Sequence, residues 1–213
     1  LINHSYSKWS VNNRMSQLFV DSIEPKTSGE VVSINRGKGQ VLEVLSSICD
    51  GSTVEVLSGT YTFENVTTHM VSTSSYVDIT GSKISYTPPS GTKRVRYNFH
   101  CQNAASGGSG GHVLLHHKFF IDGVEVTRAR KTTGGYDYHY GQDEIHEWVI
   151  DCNAASNDAD KGQFTSWTTA KELKWQFREY SSAYRGRLHD SYYWDGATGS
   201  HLSIPKLTIE AIG

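Results

Sequence analysis

Three histidines stand close together in the sequence, at His112, His116 and His117. In an extended strand residues i and i+4 share a face, so His112 and His116 point one way and His117 the other. Two imidazoles on one face could bind a metal ion, but no carboxylate or thiol lies nearby in sequence to complete the site. We interpret all three as structural or surface residues and expect no cofactor, with a metal ligand pair at His112 and His116 as the open alternative.

Two acidic segments and one serine suggest other chemistry. Asp158 and Asp160 alternate as in calcium-binding loops, but the glycine spacing and the distal glutamate of an EF-hand are missing. The neighbours Asp143 and Glu144 could serve glycoside hydrolysis, which needs two carboxyl groups flanking one bond. Ser109 lies in a Gly-x-Ser-x-Gly pattern, but the strand expected after it does not suit a nucleophile elbow, which needs a helix there. We therefore do not expect an enzyme.

Aromatic residues are concentrated in two polar, turn-like segments, residues 134–141 and 180–196. Tyrosine and tryptophan offer rigid surfaces with a polar tip, which suits recognition of sugars and of protein surfaces. Loops on a rigid β scaffold often carry binding, so we expect both segments to meet at one exposed end of the domain. Packing at a subunit interface or within the domain is the alternative. The candidate binding residues are Tyr136, Tyr138, Tyr140, Tyr184, Tyr192, Tyr193 and Trp194.

Composition indicates a folded protein. The chain has 213 residues, of which 20% are charged, with 12 Tyr and 5 Trp, whereas disordered segments are charge-rich and aromatic-poor. A net charge of −2 gives no excess of positive charge to neutralise phosphates, so nucleic acid is not expected as a partner. No run approaches the roughly 20 apolar residues of a membrane helix, so membrane insertion is not expected. Because the first residue is Leu1, we expect a fragment or a processed chain.

The three cysteines, Cys49, Cys101 and Cys152, are odd in number and far apart in sequence. Without a Cys-x-x-Cys pair they suggest neither a disulfide framework nor a zinc site. We predict that all three are buried, reduced thiols.

The chain divides by pattern into an N-terminal arm and neck, residues 1–51, and a C-terminal domain, residues 52–213. The arm is polar and irregular. Apolar residues in the segment Val41–Ile48 follow helical spacing, and Asp50-Gly51 supplies a stop signal, so one short helix is predicted there. Such a short helix needs a packing partner, either its own domain or copies of itself in an oligomeric neck.

After Ser52 the sequence reads as a series of strands without a convincing helix. The segment Lys93–Gln102 alternates strictly, Lys171–Tyr180 less so, and Asp122-Gly123 predicts a type I′ hairpin turn. The fold class is therefore all-β, a sandwich or jelly roll. The predicted core residues are Val95, Tyr97, Phe99, Leu173, Trp175 and Phe177.

The strand predicted over His112–Ile121 is apolar on both faces. Leu114 and Phe120 share one face, and Val113 and Leu115 share the other. One face would pack the core and the other a neighbouring subunit, and threefold symmetry can cover such surfaces in a fibre. This pattern predicts an obligate homotrimer.

Several stretches of the sequence resemble marine bacteriophage fibre or appendage proteins, of the kind found in phages of cyanobacteria and pelagic bacteria. The stretches are residues 84–95, 118–126 and 205–210, and Phe19–Pro25 is similar to segments that recur in tail-fibre chains. The resemblance covers roughly residues 50–213 well and the N-terminal part loosely. These motifs are structural and not catalytic.

The resemblance implies a trimeric virion protein whose jelly-roll head is similar to those of tumour necrosis factor and the complement globular heads. It implies binding to a host cell-surface glycan or outer-membrane protein, and to other virion proteins through the N-terminal arm, but transfers no single binding residue. The alternatives are a capsid decoration or other structural trimer without receptor binding, and a polysaccharide-cleaving tailspike. The tailspike is disfavoured because no β-helix repeat is visible.

Overall fold

The computed structural model describes residues 39–106, 112–136, 142–192 and 200–213, within a compact unit that spans Gly37–Gly213. Its regular elements are strands and two 3-10 turns, Ala159–Lys161 and Ser182–Tyr184. The strands are β1 (Val41–Ile48), β2 (Thr53–Val56), β3 (Gly59–Thr62), β4 (Met70–Val71), β5 (Val77–Asp78), β6 (Ile84–Tyr86), β7 (Arg94–Ala105), β8 (His112–Ile121), β9 (Val124–Tyr136), β10 (Gln142–Asp151), β11 (Lys171–Glu179), β12 (Gly186–Leu188), β13 (Asp190–Tyr192), β14 (Ser200–Leu202) and β15 (Lys206–Ile212).

Two antiparallel sheets contain most of these strands. The first sheet has the order β1-β15-β7-β12-β4, and β10 pairs along the other edge of β7. The second sheet has the order β5-β11-β8-β9, and β6 also pairs with β11. The pairs β2–β3 and β13–β14 form separate two-stranded sheets. The predicted all-β jelly-roll sandwich is confirmed.

The core lies between the two sheets and is rich in aromatic rings. The ring of Phe119 on β8 lies 5.2 Å, centroid to centroid, from Tyr97 on β7 and 5.2 Å from Trp175 on β11. All six predicted core residues are buried, with Trp175 1% exposed and the other five fully covered. Alternation along β7 and β11 therefore identified the inward-facing side chains correctly.

The helix predicted over Val41–Ile48 is wrong, because this segment is β1 and pairs with β15 along its length. A bulge between Val41 and Glu43 shifts the register, and apolar side chains occupy both faces, so the spacing imitates that of a helix. Inward-facing Glu43 is buried and accepts hydrogen bonds from the Tyr86 hydroxyl and the Ser58 backbone amide, each at 2.7 Å. The first 51 residues are thus not all arm and neck, since β1 belongs to the sandwich.

Local predictions for turns and thiols are also confirmed. Asp122 and Gly123 have φ angles of 50° and 76°, as a type I′ turn between β8 and β9 requires. Cys49, Cys101 and Cys152 are free and buried. Burial raises the pKa of the Cys49 and Cys152 thiols to about 12, so both stay protonated at neutral pH.

The alternation predicted for β8 is present. Val113, Leu115 and Ile121 are buried between the sheets, while Leu114 and Phe120 are half-buried on the outer face of the second sheet. Among the described residues no helix has the length and apolar character needed to cross a membrane.

His189, between β12 and β13, should make the protein sensitive to mild acid. It is fully buried with a φ angle of 61°, and burial lowers its pKa to about 4. Below pH 6.5 the unfolded chain binds a proton there that the folded chain does not, so stability falls with falling pH. Between pH 7.5 and 5 this histidine should account for about 2 kcal/mol of lost unfolding free energy.

The measurement is urea unfolding at both pH values for the wild type and for His189→Asn. Asparagine does not titrate and tolerates positive φ. The variant should show a pH dependence weaker by that amount, even if its stability at pH 7.5 is lower. An equal pH dependence in the two proteins would contradict the prediction.

Candidate functional site

Four aromatic and imidazole rings form a patch on the outer face of the second sheet. We call His112, His116, Tyr180 and Tyr184 the tyrosine–histidine patch. Ring centroids lie 6.0 Å apart for His112 and Tyr184, and 5.9 Å apart both for His116 and Tyr180 and for Tyr180 and Tyr184. Tyr180 is 57% exposed, so the patch offers an aromatic surface to solvent.

Two neighbouring strands and a short connector position the patch. His112 and His116 point outward from β8 because their odd-numbered neighbours are buried. Tyr180 follows β11 directly, and its backbone amide donates to the Leu114 carbonyl at 2.9 Å. Tyr184 ends the 3-10 turn that leads into β12, and its amide donates to the Ser181 carbonyl at 2.9 Å. The rings are thus held by backbone hydrogen bonds of the sandwich.

A buried carboxylate fixes the connector that carries Tyr184. Glu179 is 3% exposed, and one of its oxygens accepts from the Ser72 hydroxyl at 3.0 Å and lies 3.3 Å from Nε of Arg185. Ser72 Oγ also accepts a hydrogen bond from the Gly186 backbone amide at 3.0 Å. Because Arg185 follows Tyr184, this chain of contacts holds a cationic side chain beside the patch.

A shallow cleft of about 460 Å³ opens next to Tyr184 and His112. Gly134 on β9 lies exposed in its lining, in register with Leu114. A Cβ atom at this glycine would lie 2.7 Å from the Val113 carbonyl oxygen, so a side chain does not fit there without a backbone shift. The glycine therefore leaves the floor of the cleft open.

The structure describes part of the predicted binding set. Tyr184 belongs to the patch, and the ends of β9 and β13 contain Tyr136 and Tyr192, whose side chains are outside the described atoms. Tyr138, Tyr140, Tyr193 and Trp194 lie outside the described residues, as does Ser109 of the Gly-x-Ser-x-Gly pattern.

The structure brings together features that the sequence analysis treated separately. Tyr184 and the histidine pair of β8 come from segments about 70 residues apart. They meet because the chain after Tyr184 pairs with the end of β7, where Arg185 accepts from the Ser106 amide and Gly186 pairs with Ala105. Sequence reasoning missed Tyr180 and His116 as parts of one surface. Their positions could be inferred only from the pairing of β8 with β11, which the sequence does not encode locally.

The alternative of a metal ligand pair at His112 and His116 is not supported by the geometry. His112 and His116 share a face but stand four residues apart on one extended strand, which separates their Cα atoms by about 13 Å. His116 Nδ1 lies 2.9 Å from the Thr132 hydroxyl oxygen, and its ring contacts Tyr180. The two imidazoles cannot reach one ion, so their interpretation as surface residues is the better one.

The acidic candidates are separated as well. Asp143 and Glu144 are adjacent on β10 and point to opposite faces, one exposed and one buried, so they cannot flank one glycosidic bond. Asp158 forms an ion pair with Lys161 at 2.8 Å, and Asp160 accepts from the Thr127 hydroxyl at 2.9 Å. These carboxylates have separate partners and do not converge on a common point.

Glu144 is instead the centre of a buried polar cluster between the sheets. We call Cys101, His117, Glu144 and His146 the His–Glu–Cys cluster, and none of the four is more than 3% exposed. Glu144 Oε1 accepts hydrogen bonds from the Asn103 amide and, at 2.6 Å, from the Thr133 hydroxyl. The sequence signal for this site is the alternation of β10, which places Glu144 and His146 on the same inward face as Ile150.

Proton positions in the cluster follow from the donors available. Since Thr133 donates to Glu144, His117 Nε2 must donate to the Thr133 oxygen, 2.8 Å away. His146 Nε2 donates to Glu144 Oε2 at 2.9 Å. Burial acts to raise the pKa of Glu144, but the hydrogen bond from His146, the electrostatic effect of His117 and His146 and the hydrogen bond from Thr133 together hold that pKa below its usual range. Burial lowers the pKa of His117 to about 3 and also lowers that of His146, so both imidazoles are neutral at pH 7.

A second cleft, of about 470 Å³, lies at the opposite end of the sandwich, beside Lys93 and Trp167. Trp167 is only 6% exposed and packs against Tyr86, with 6.2 Å between ring centroids. Its ring offers little surface to a ligand. The tyrosine–histidine patch is therefore the better candidate for recognition.

Comparison with known proteins identifies no family. No protein-family model and no curated protein matches the sequence. Among solved structures, a chain of infectious bursal disease virus, Gx strain, is similar over 92% of this chain and 47% of that chain, with a TM-score of 0.36 and 12% identity. A chain of the Gt strain is similar over 71% of this chain and 38% of that chain, with a TM-score of 0.24 and 11% identity. This chain spans less than half the length of these chains, and similarity at this level carries no argument about function.

Proposed function

We propose that the chain is a structural protein of a bacteriophage virion, in which the sandwich forms the head of a trimeric tail fibre or appendage. The head would bind a host cell-surface glycan or an outer-membrane protein. The observation that carries the proposal is the tyrosine–histidine patch, an exposed set of rings held on a rigid β scaffold. The resemblance of residues 84–95, 118–126 and 205–210 to phage fibre proteins supports the same assignment.

The chemistry of the patch suits a saccharide or a protein surface. The exposed ring of Tyr180 provides an apolar face with a polar tip, on which the C–H face of a sugar or an apolar side chain can pack. The imidazole of His112 beside Tyr184 and the Thr132 hydroxyl in the neighbouring cleft add hydrogen-bonding groups, and Arg185, bound to Glu179, follows Tyr184 in the chain. Recognition sites typically contain a small number of aromatic anchors surrounded by polar groups.

The ends of the sandwich are arranged as a fibre head requires. The Gly39 amide donates to the Gly213 carbonyl at 2.6 Å, next to the pairing of Ile212 with Arg94 at the start of β7. The patch lies at the other end of β7, where Gly186 pairs with Ala105. Twelve strand residues separate these ends by about 35–40 Å. A preceding arm would thus attach far from the proposed contact surface.

The trimer is supported by exposed apolar side chains on the outer face of the first sheet. Val44 and Ile48 on β1 and Ile145 and Val149 on β10 are all 44–56% exposed. They flank a polar middle in which Arg96 pairs with Glu147 at 2.7 Å. Exposed apolar side chains on both sides of this face are the kind of surface that a neighbouring subunit could cover. Sedimentation equilibrium should give three times the chain mass of 23.7 kDa, and a stable monomer would contradict the trimer.

The test of recognition is a pair of tyrosine replacements in the patch. Tyr180→Ala combined with Tyr184→Ala should lower binding to a glycan array or to Gram-negative cells at least tenfold, because both anchors are lost. The matched control is Tyr76→Ala, since this tyrosine lies under the Arg178 guanidinium on the same sheet face, outside the patch. Circular dichroism checks the fold of each variant.

Each result of this test has a defined meaning. Unchanged binding by the folded double variant would place recognition elsewhere, and equal loss in the Tyr76 variant would deny the patch a specific role. No binding by the wild type to any glycan or cell would favour a capsid decoration, which antibody-labelled electron microscopy of virions can locate. Release of reducing ends from a bound polysaccharide would identify a tailspike enzyme instead.

A further inference from the structure

The His–Glu–Cys cluster is not used by the proposed recognition function. Its members come from both sheets, with His117 on β8 of the second sheet and Cys101, Glu144 and His146 on β7 and β10 of the first. All four are ligand types that bind transition metals: a thiol, two imidazoles and a carboxylate.

The distances within the cluster are close to those of a metal site. Glu144 Oε2 lies 2.9 Å from His146 Nε2 and 3.5 Å from His117 Nε2. One ligand atom from each of Cys101, Glu144 and His146 lies within 4.8 Å of the others. Tetrahedral zinc with bonds of about 2.0–2.3 Å places its ligand atoms about 3.3–3.7 Å apart. Drawing the ligand atoms of Cys101, Glu144 and His146 around one ion therefore needs shifts of about 1–1.5 Å, and His117 is linked to this group by its 3.5 Å distance to Glu144.

Hydrogen bonding leaves lone pairs in the cluster without donors. Among the described residues, Nδ1 of His117 and Nδ1 of His146 are buried and have no hydrogen-bond partner. Both rings donate through Nε2, so each Nδ1 carries a lone pair, and the interior has more acceptors than protons. A buried polar atom without a partner is costly, and the lone pair of a neutral imidazole is what a metal ion binds. An ion beside Glu144 would be bound by Nε2 of each ring, and the ring proton would then sit on Nδ1.

Charge favours a divalent ion over an empty cluster. The ionised Glu144 accepts hydrogen bonds from neutral donors, and the ammonium group of Lys131, which is bonded to the Ile145 carbonyl at 2.5 Å, acts on it only through space. A divalent ion with the Glu144 carboxylate, the Cys101 thiolate and two neutral imidazoles has zero net charge. A neutral assembly avoids the large penalty for burying charge in the interior.

We propose that Cys101, His117, Glu144 and His146 bind one divalent transition-metal ion of the zinc class in a closed, four-coordinate structural site. One nitrogen of each imidazole, the thiolate and the carboxylate are the ligands. Thiolate and imidazole ligands select zinc over magnesium or calcium. Binding releases the Cys101 proton to solvent and joins β8 of the second sheet to β7 and β10 of the first. Because the site forms only on folding, metal binding stabilises the folded chain.

The experiment is metal analysis of the full chain refolded with and without zinc sulfate. Mass spectrometry of the metal content should give about one zinc per chain after removal of free metal. Refolding with cobalt should produce the visible absorption and thiolate charge-transfer bands of a tetrahedral cobalt–cysteine site. Chelation should lower the thermal unfolding midpoint of the wild type.

A matched pair of cysteine variants assigns the thiol. Cys101→Ser should weaken zinc binding at least tenfold and abolish the thiolate band, whereas Cys152→Ser removes another buried thiol, outside the cluster, and should change neither. Titration of the wild type against a chromophoric chelator gives the affinity even if Cys101→Ser does not fold. Less than about 0.1 zinc per wild-type chain, or equal zinc in both variants, would overturn the proposal and leave a hydrogen-bonded network.

Discussion

Leu45→Asp should unfold the protein, while Val44→Asp should leave the sandwich folded. Leu45 is fully buried on the inward face of β1, whereas adjacent Val44 is 50% exposed on the outward face. Burying an unpaired carboxylate in place of Leu45 should cost at least about 4 kcal/mol, comparable to the whole stability of a small domain. Aspartate at position 44 should cost about 1 kcal/mol or less, since it meets solvent.

Urea unfolding followed by circular dichroism measures both effects, and sedimentation adds the oligomeric state. If the proposed trimer forms, a charge at Val44 that leaves the fold intact but dissociates it would assign this face to the subunit contact. If both variants unfold, the two side chains share one buried face, as in a helix, and the strand assignment of β1 is contradicted. Two unaffected variants would contradict it as well.

Trp175→Ala should lower the free energy of unfolding by about 3–5 kcal/mol, the usual range for emptying a buried aromatic position. The indole lies between the rings of Phe119 and His146, at centroid distances of 5.2 and 5.0 Å. These rings belong to three different strands from both sheets, so the neighbours cannot collapse into the space without moving the sheets. A rigid surrounding keeps the cavity open, which raises the cost.

The matched control is Leu57→Ala, because Leu57 is 76% exposed and should contribute within about 0.5 kcal/mol. Chemical denaturation of both variants at one pH gives the comparison. A loss below about 1 kcal/mol for Trp175→Ala would mean that β11 adopts another register, with Trp175 outside the core.

Strands with strict alternation could be predicted from the sequence because each one carries its own signal. The segment Lys93–Gln102 has polar and apolar residues in turn, and Asp122-Gly123 has the backbone freedom that its turn requires. Val41–Ile48 carries no such signal, because both of its faces are apolar and a bulge interrupts the period. Its strand conformation depends on β15, which lies more than 150 residues later in the chain.

The two sites could not be predicted for a related reason. In the sequence Glu144 is one of two adjacent acidic residues, and His117 is one of three histidines close together. Such polar groups are usually exposed, so nothing in the sequence marks either residue as buried. Only the packing of β10 against β8 and β9 places Glu144 near His117 and Thr133. The patch likewise needs Tyr184 to return to the end of β8. Tyrosine enrichment indicated recognition, but the partners of each ring are set by topology.

The pairing of the first strand with the last determines how the sandwich would respond to mechanical load. If the fibre is anchored before residue 39 and the patch is held by a cell, tension acts along the strands, parallel to the seam between β1 and β15. The hydrogen bonds between β1 and β15, from the pair Val41–Ile212 to the pair Ile48–Lys206, would then be loaded in shear and would bear the tension together. Peeling would break them one after another at a much smaller force. In the proposed fibre head, this seam would keep the sandwich folded while the attached particle is pulled by flow.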